Sequence, residues 1–246
     1  MRKITLSLSV AVVAFTSFAY ADDWSKTYEL GSKPELRVEA HDANVHIEVW
    51  DQNKIDVRVT THGIHIGSGG LEIVEHQQGN AVDIELREPH QAHFFVGIEP
   101  HRAELEIHMP RSAKVNVHTG DGAVLAKGLE GDLDFTTGDG SLEIEDVDGS
   151  LHAHTSDGRV EVEARPGSQL REAWNISSSD GSLTLRLPGD LAADIALHTS
   201  DGSITTNIPI AVQGNFGHHD IHGKMNGGGN LLTVHTSDGS VTLDKF

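Results

Sequence analysis

Four glutamates have the spacing in this chain most suggestive of chemistry. Glu143 and Glu161 are eighteen residues apart, and so are Glu145 and Glu163. In a fold that repeats every eighteen residues, each pair stands on neighbouring strands about 4.8 Å apart. Like charges placed this way repel. A hard divalent cation such as Ca²⁺, which prefers carboxylate oxygens, would relieve the repulsion. Lys127, one repeat before Glu145, would relieve part of it. The plainer and favoured reading is a solvated acidic face, because water and salt screen exposed pairs. A second cluster is His218, His219 and His222, in the string Gly217-His-His-Asp-Ile-His-Gly223. Three imidazoles bind Zn²⁺ when they converge, but this string reads as a loop and its spacing matches no strong zinc motif. His118 and His154 share an outward column with Thr136 between them, on the sheet opposite the glutamates.

Catalysis finds no motif. The chain has no G-x-S-x-G elbow, no phosphate-binding Walker loop and no H-E-x-x-H. Ser, His and Asp are plentiful, but their abundance follows from a repeated phrase. No catalytic residue is assigned, and the chain reads as a non-enzyme. A carbohydrate-active enzyme of β-helix type is the alternative, on fold-level analogy alone. A metal-responsive envelope protein is a third reading. Aromatic residues make up 5% of the chain, and Trp24, Trp50 and Trp174 are too scattered to form a sugar-stacking platform.

The elements that must position these side chains are announced by glycine. Gly122, Gly131, Gly140, Gly149, Gly158 and Gly167 fall every nine residues. Every second one closes a phrase: Thr119-Gly-Asp121-Gly122, Thr137-Gly-Asp139-Gly140, Thr155-Ser-Asp157-Gly158. The phrase returns as Ser178-Ser-Asp180-Gly181, Thr199-Ser-Asp201-Gly202 and Thr236-Ser-Asp238-Gly239. A short fixed period marks a stacked repeat architecture. Positions two and four after each Gly are apolar, as in Leu142/Ile144, Val160/Val162 and Leu183/Leu185. Such alternation puts one set of side chains inward and the other outward along a strand. Gly is expected at the corner because it reaches positive φ, and Asp because it suits such turns, which would be its whole role there. The pattern predicts an all-β, single-stranded β-solenoid in which two nine-residue units make one coil. An antiparallel meander or sandwich remains the alternative, since Asp-Gly also makes hairpins. Three insertions interrupt the period: 168–177, where Trp174 is expected to plug a bulge, 190–198 and 212–229. Earlier strands are marked by alternation alone, as in Val45-His-Ile47-Glu-Val49 and Leu105-Glu-Ile107-His-Met109.

The repeated T-[SG]-D-G-S-[LIV] turns resemble a bacterial family of unknown function labelled putative adhesin. So do Trp174-Asn-Ile176 running to Leu187-Pro188, Asp190-Leu-x-Ala-Asp194, and Gly223-x-x-Asn226-Gly-Gly-Gly229 before the last turn. The resemblance covers Leu36 to Leu243 and is strongest after Val115. It implies an exported or surface-associated β-solenoid-like domain, and it implies no catalytic residues. A nine-residue glycine period also occurs in calcium-binding β-rolls, but their G-G-x-G-x-D turn is missing here.

Composition and the chain's start set the remaining bounds. Residues 1–21 carry Arg2, Lys3, an apolar run from Ile4 to Phe15, and Ala19-Tyr20-Ala21, which together read as a secretory signal peptide. The apolar run is shorter than the roughly 20 residues of a bilayer span, which argues against an uncleaved anchor. Residues 22–246 are expected to form one β-repeat domain, most regular from 115 to 246, in the periplasm or at the cell surface. The chain has no Cys, which excludes disulfides, thiol catalysis and lipoprotein attachment. The formal charge of −19 becomes −21 without Arg2 and Lys3, so nucleic acid is a poor partner. With 17 His, surface charge should respond strongly to mild acid. The expected partner is a protein or other envelope component, with no transmembrane segment after signal cleavage and no resident cofactor. Phe246 follows the last strand directly, so edge-to-edge self-association is expected at an open edge there.

Overall fold

The computed structural model describes residues 21–88, 102–212, 217 and 219–246, and among them there is no helix. The strands run in order β1 (Ala21–Glu29), β2 (Glu35–Ala40), β3 (Asn44–Trp50), β4 (Lys54–His62), β5 (Glu72–Gln78), β6 (Ala81–Arg87) and β7 (Arg102–Pro110). There follow β8 (Ser112–Thr119), β9 (Val124–Lys127), β10 (Glu130–Thr137), β11 (Leu142–Thr155), β12 (Val160–Ala164), β13 (Trp174–Ser178) and β14 (Leu183–Leu187). The last six are β15 (Ala193–Thr199), β16 (Ile204–Thr206), β17 (Ala211–Val212), β18 (Asp220–Met225), β19 (Leu231–Thr236) and β20 (Val241–Lys245).

Two ladders result. The first sheet is ordered β1, β4, β7, β3, β9, β11, β12, β14, β20, β16. The second is ordered β5, β6, β2, β8, β10, β11, β13, β19, β15, β18, β17. The 14-residue β11 belongs to both, its first half in one sheet and its second half in the other. In the middle all pairing is parallel and the register is eighteen residues, with Leu133 between Val115 and Leu151. That is a β-solenoid, and the meander is excluded by the parallel ladders.

The apolar alternation does what the period required. Val124, Ala126, Leu133, Phe135, Leu142, Ile144, Val160 and Val162 are all buried, and so are their counterparts in the other coils. Each of these side chains larger than alanine stabilises the fold by about 1.5–3 kcal/mol relative to exposure. Trp174 is a regular member of this core rather than a plug. It stands between Leu151 and Leu232, with its indole N–H donating to Gly149 O at 2.8 Å.

The corner differs from its expected chemistry. Gly122, Gly140, Gly158, Gly181, Gly239 and Gly202 stack in that order and do not adopt positive φ. They are glycine because neighbouring coils meet there. A Cβ on Gly140 would lie 2.1 Å from Gly122 O, and one on Gly158 would lie 1.9 Å from Gly140 O. Positive φ belongs to the opposite corner, at Gly131 (140°) and Gly149 (104°). The Asp of each phrase is exposed, and it is the Thr or Ser that turns inward. Thr119, Thr137, Thr155, Ser178, Thr199 and Thr236 are buried. Thr155 Oγ1 accepts from Gly158 N at 3.1 Å and donates toward Gly138 O (3.0 Å) and Gly140 O (3.1 Å) of the coil before. The hydroxyl closes its own turn and ties it to the coil before.

Chain order is not stacking order at the ends. β19 and β20 lie between β13/β14 and β15/β16, and β2 and β3 lie between β6/β7 and β8/β9. The last strand, β20, is therefore interior, which corrects the expected open edge beside Phe246. The edges are β1 and β5 at one end and the short β16 and β17 at the other. Very short edge strands resist pairing with another chain, and so do inward-pointing charges. At the first end Lys26 and Tyr28 of β1 both hold Glu75 of β5, the tyrosine at 3.0 Å.

Candidate functional site

Both faces of the solenoid are built from outward side chains. On the first sheet Glu143 stands beside Glu161, as the eighteen-residue spacing requires. Glu145 and Glu163 do not continue that ladder. The register shifts between Ile144 and Val147, and Asp146 takes φ 53°. This bulge turns Asp146 toward Arg111 (3.3 Å) and Arg165 (3.2 Å), and Arg165 also reaches Glu130 at 2.9 Å.

Cationic side chains already serve the acidic row. Lys127 Nζ is 3.0 Å from Glu145 Oε2. Arg186 lies across Glu161 (3.4 Å) and Glu163 (3.6 Å), a partner the sequence reading missed because an insertion precedes its strand. The hydrogen bond from Lys127 to Glu145 pushes the lysine ammonium toward its charged form, above its ordinary range. Exposed pairs of this kind contribute about 0–1 kcal/mol each. A shallow open depression lies further along the same sheet. Its lining includes His46, Glu104, Glu106, Leu125 and Glu143.

The second sheet carries the histidines. Thr136 stands between His118 and His154, and the column continues through Ser177 and His235 to His198. His154 Nδ1 is 2.9 Å from Ser177 Oγ. The His198 and His235 rings stack 5.0 Å apart at 9°. His198 Nδ1 meets Asp220 Oδ1 at 2.5 Å. That hydrogen bond is the main reason why the Asp220 carboxyl is held below its usual range, with the His222 and His219 charges adding to it. His198 and His235 belong to one column only because the last coil is inserted out of order.

Two of the three clustered histidines are described. His222 lies on β18 opposite Ala196, His219 precedes that strand, and His218 lies outside the described residues. Among the described residues no three His, Asp or Glu side chains form a group that could hold a metal ion. The corner residues Asp121, Asp139, Asp157, Asp180, Asp238 and Asp201 line one edge between the faces, one per coil and all exposed.

Residues 107–244 match the protein family described as Toastrack DUF4097. Among solved structures, that of a putative cell adhesion protein from Clostridium sporogenes aligns over 92% of this chain and 100% of its own, at 14% identity and a TM-score of 0.53. A putative adhesin from Bacteroides fragilis aligns over 92% of this chain and 97% of its own, at 9% identity and a TM-score of 0.40. No curated protein sequence matches the chain.

Proposed function

Because the chain belongs to the Toastrack DUF4097 family, we propose that it is a non-catalytic, adhesin-like interaction protein of the cell envelope, exported by its first 21 residues. One observation carries the reading. The polar groups are spread over two long outward faces, while the space between the sheets is filled by a continuous apolar core. A surface of that kind suits a large partner laid along it. The adhesion named for the Clostridium sporogenes protein supports the same reading by likeness of fold. No helix among the described residues is long and apolar enough to cross a membrane.

A β-helix type carbohydrate-active enzyme is the second reading, favoured by the carboxylates Glu104, Glu106 and Glu143 around the depression on the first sheet. One experiment separates the two. Purified protein is mixed with isolated cell envelopes and with a panel of envelope polysaccharides. Saturable co-sedimentation without release of new reducing ends is the expected result. Release that disappears in Glu106→Gln/Glu143→Gln would establish the enzyme instead, and failure to sediment with envelopes would end the adhesin reading.

A further inference from the structure

The second sheet carries a stripe at odds with the acidity of the chain. Between β11 and β15, the column of His154, Ser177, His235 and His198 runs beside a column of His152, Asn175, Thr233 and Ala196. Neither column contains a carboxylate, Lys or Arg over that stretch, although the chain has 37 Asp and Glu against 18 Lys and Arg. The charged groups stand at the margins, where the exposed corner residues Asp157, Asp180, Asp238 and Asp201 run along one side of the stripe and stay ionised in mild acid as at neutral pH. Asp134 of β10 adjoins His152, Glu39 of β2 adjoins His118, and Asp220 of β18 adjoins His198. Also on β18, His222 adjoins Ala196, and Lys224 is held by Asp194 of β15 at 3.6 Å.

We propose that this stripe docks a linear acidic polysaccharide with one carboxylate per sugar, in mild acid. The proposal deepens the envelope-interaction reading and rests on it. Charge sets the pH sign. Imidazole is the side chain that gains its charge between pH 8 and 5, while carboxylates, which protonate near pH 4, stay ionised. Protonating all 17 His takes the formal charge from −19 to −2, so general repulsion of a polyanion falls away while positive charge gathers on the stripe. Carboxylates elsewhere count for little beyond the screening length of about 8 Å.

Spacing and chemistry set the partner. Strands repeat every 4.8 Å or so, close to the length of one pyranose residue, so each sugar can lie over one strand. Over β11, β19 and β15 its carboxylate then faces His154, His235 or His198, and over β13, which carries no imidazole there, the sugar meets Ser177 and Asn175. The stripe has no Trp, Tyr or Phe on which a neutral sugar would stack. The stacked rings of His198 and His235 repel when both are charged. Asp220 offsets one of them, and an incoming carboxylate offsets the other.

The test uses the full chain on immobilised polygalacturonate at pH 5.5 and 7.5, at fixed ionic strength, with dextran and polyphosphate as controls. At least tenfold tighter binding at pH 5.5 is expected. That gain should be lost in His154→Asn/His235→Asn and kept in Glu161→Gln/Glu163→Gln on the other sheet. Equal binding at both pH values, unchanged binding by the histidine variant, or equal binding of dextran overturns the proposal. Equal binding of polyphosphate overturns the sugar-spacing argument. If the variant misfolds, the wild-type histidine resonances decide: the polymer should raise the titration midpoints of His154 and His235, and unmoved midpoints refute the stripe. Sedimentation with envelopes but no response to polygalacturonate would sink this proposal alone. Absence of both would sink the envelope reading too.

Discussion

From β8 to β14 the coils stack in chain order, each 18 or 23 residues after the one before, and successive coils meet through the same corner of buried hydroxyl and close glycine. At the two ends the order breaks. One coil is slipped in from a distant part of the chain, antiparallel strands cover the stack, and single-use contacts such as Tyr28 with Glu75 replace the repeated ones. The middle spreads its stability over equivalent coils, as quasi-one-dimensional repeats do. The ends rest on particular residues. Damage to any one middle corner should therefore resemble damage to another, whereas damage at an end should be local and individual.

The most severe test is a chain ending at residue 229, which lacks β19 and β20. β15 and β16 lose their parallel partners, and β13 and β14 gain bare edges. Hydrogen exchange should show protection lost over residues 193–206 and kept at β8 to β11. Surviving protection at 193–206 would mean that this end stacks as the middle does. Next comes Gly140→Ala, whose Cβ has a carbonyl oxygen 2.1 Å away. A loss of about 3 kcal/mol or more is expected, read as a fall in Tm of roughly 6–12 °C. Gly167, with φ 76° and open space around it, should cost about 1–2 kcal/mol on the same change. The reverse ranking would break the account of the corner.

A finer test is Thr155→Val, which keeps the shape and removes the hydroxyl. It leaves the Gly158 N–H without its partner and should cost about 1–3 kcal/mol by chemical denaturation. Thr155→Ser should cost less, since Ser178 fills the same post one coil on. At the first end, burial and then Glu75 push the Tyr28 hydroxyl above its ordinary range. The folded state thus favours the neutral phenol. Stability from this contact is complete below about pH 10, the ordinary tyrosine value, and is lost progressively as pH rises from there through the higher folded-state value. Exchange at β1 should quicken in alkali before exchange at β10 does. The smallest effect is expected of Arg186→Met, below about 1 kcal/mol because the pair is exposed. Millimolar Ca²⁺ should leave the wild-type Tm unchanged, since Arg186 and Lys127 already meet the acidic row.

The middle was legible because sequence neighbours are also stack neighbours. The spacing of Glu143 and Glu161, the burial of Leu142 and Val160, and the column through His118, Thr136 and His154 all follow from one period. Stacking order at the ends was not legible, for a physical reason. Thr199-Ser-Asp-Gly202 and Thr236-Ser-Asp-Gly239 present the same corner and similar apolar columns, so local pattern does not say which lies beside Ser178-Ser-Asp-Gly181. The His198–His235 stack was hidden by the same degeneracy. The corner of β2 and β3 escaped notice because Ala43 stands where later coils have glycine. The Glu145–Glu163 alignment failed at Asp146, a bulge that no glycine announces.

The inserted last coil also sets a timetable. A polypeptide that emerges amino end first, from a ribosome or a secretion channel, can assemble the coils of β8 to β14 as they appear. Residues 193–206 must then wait, since their seat is formed by residues 231–245, which arrive later. Until then the growing end presents a surface made to receive a strand, and anything that shields it during those moments governs how much finished protein is obtained.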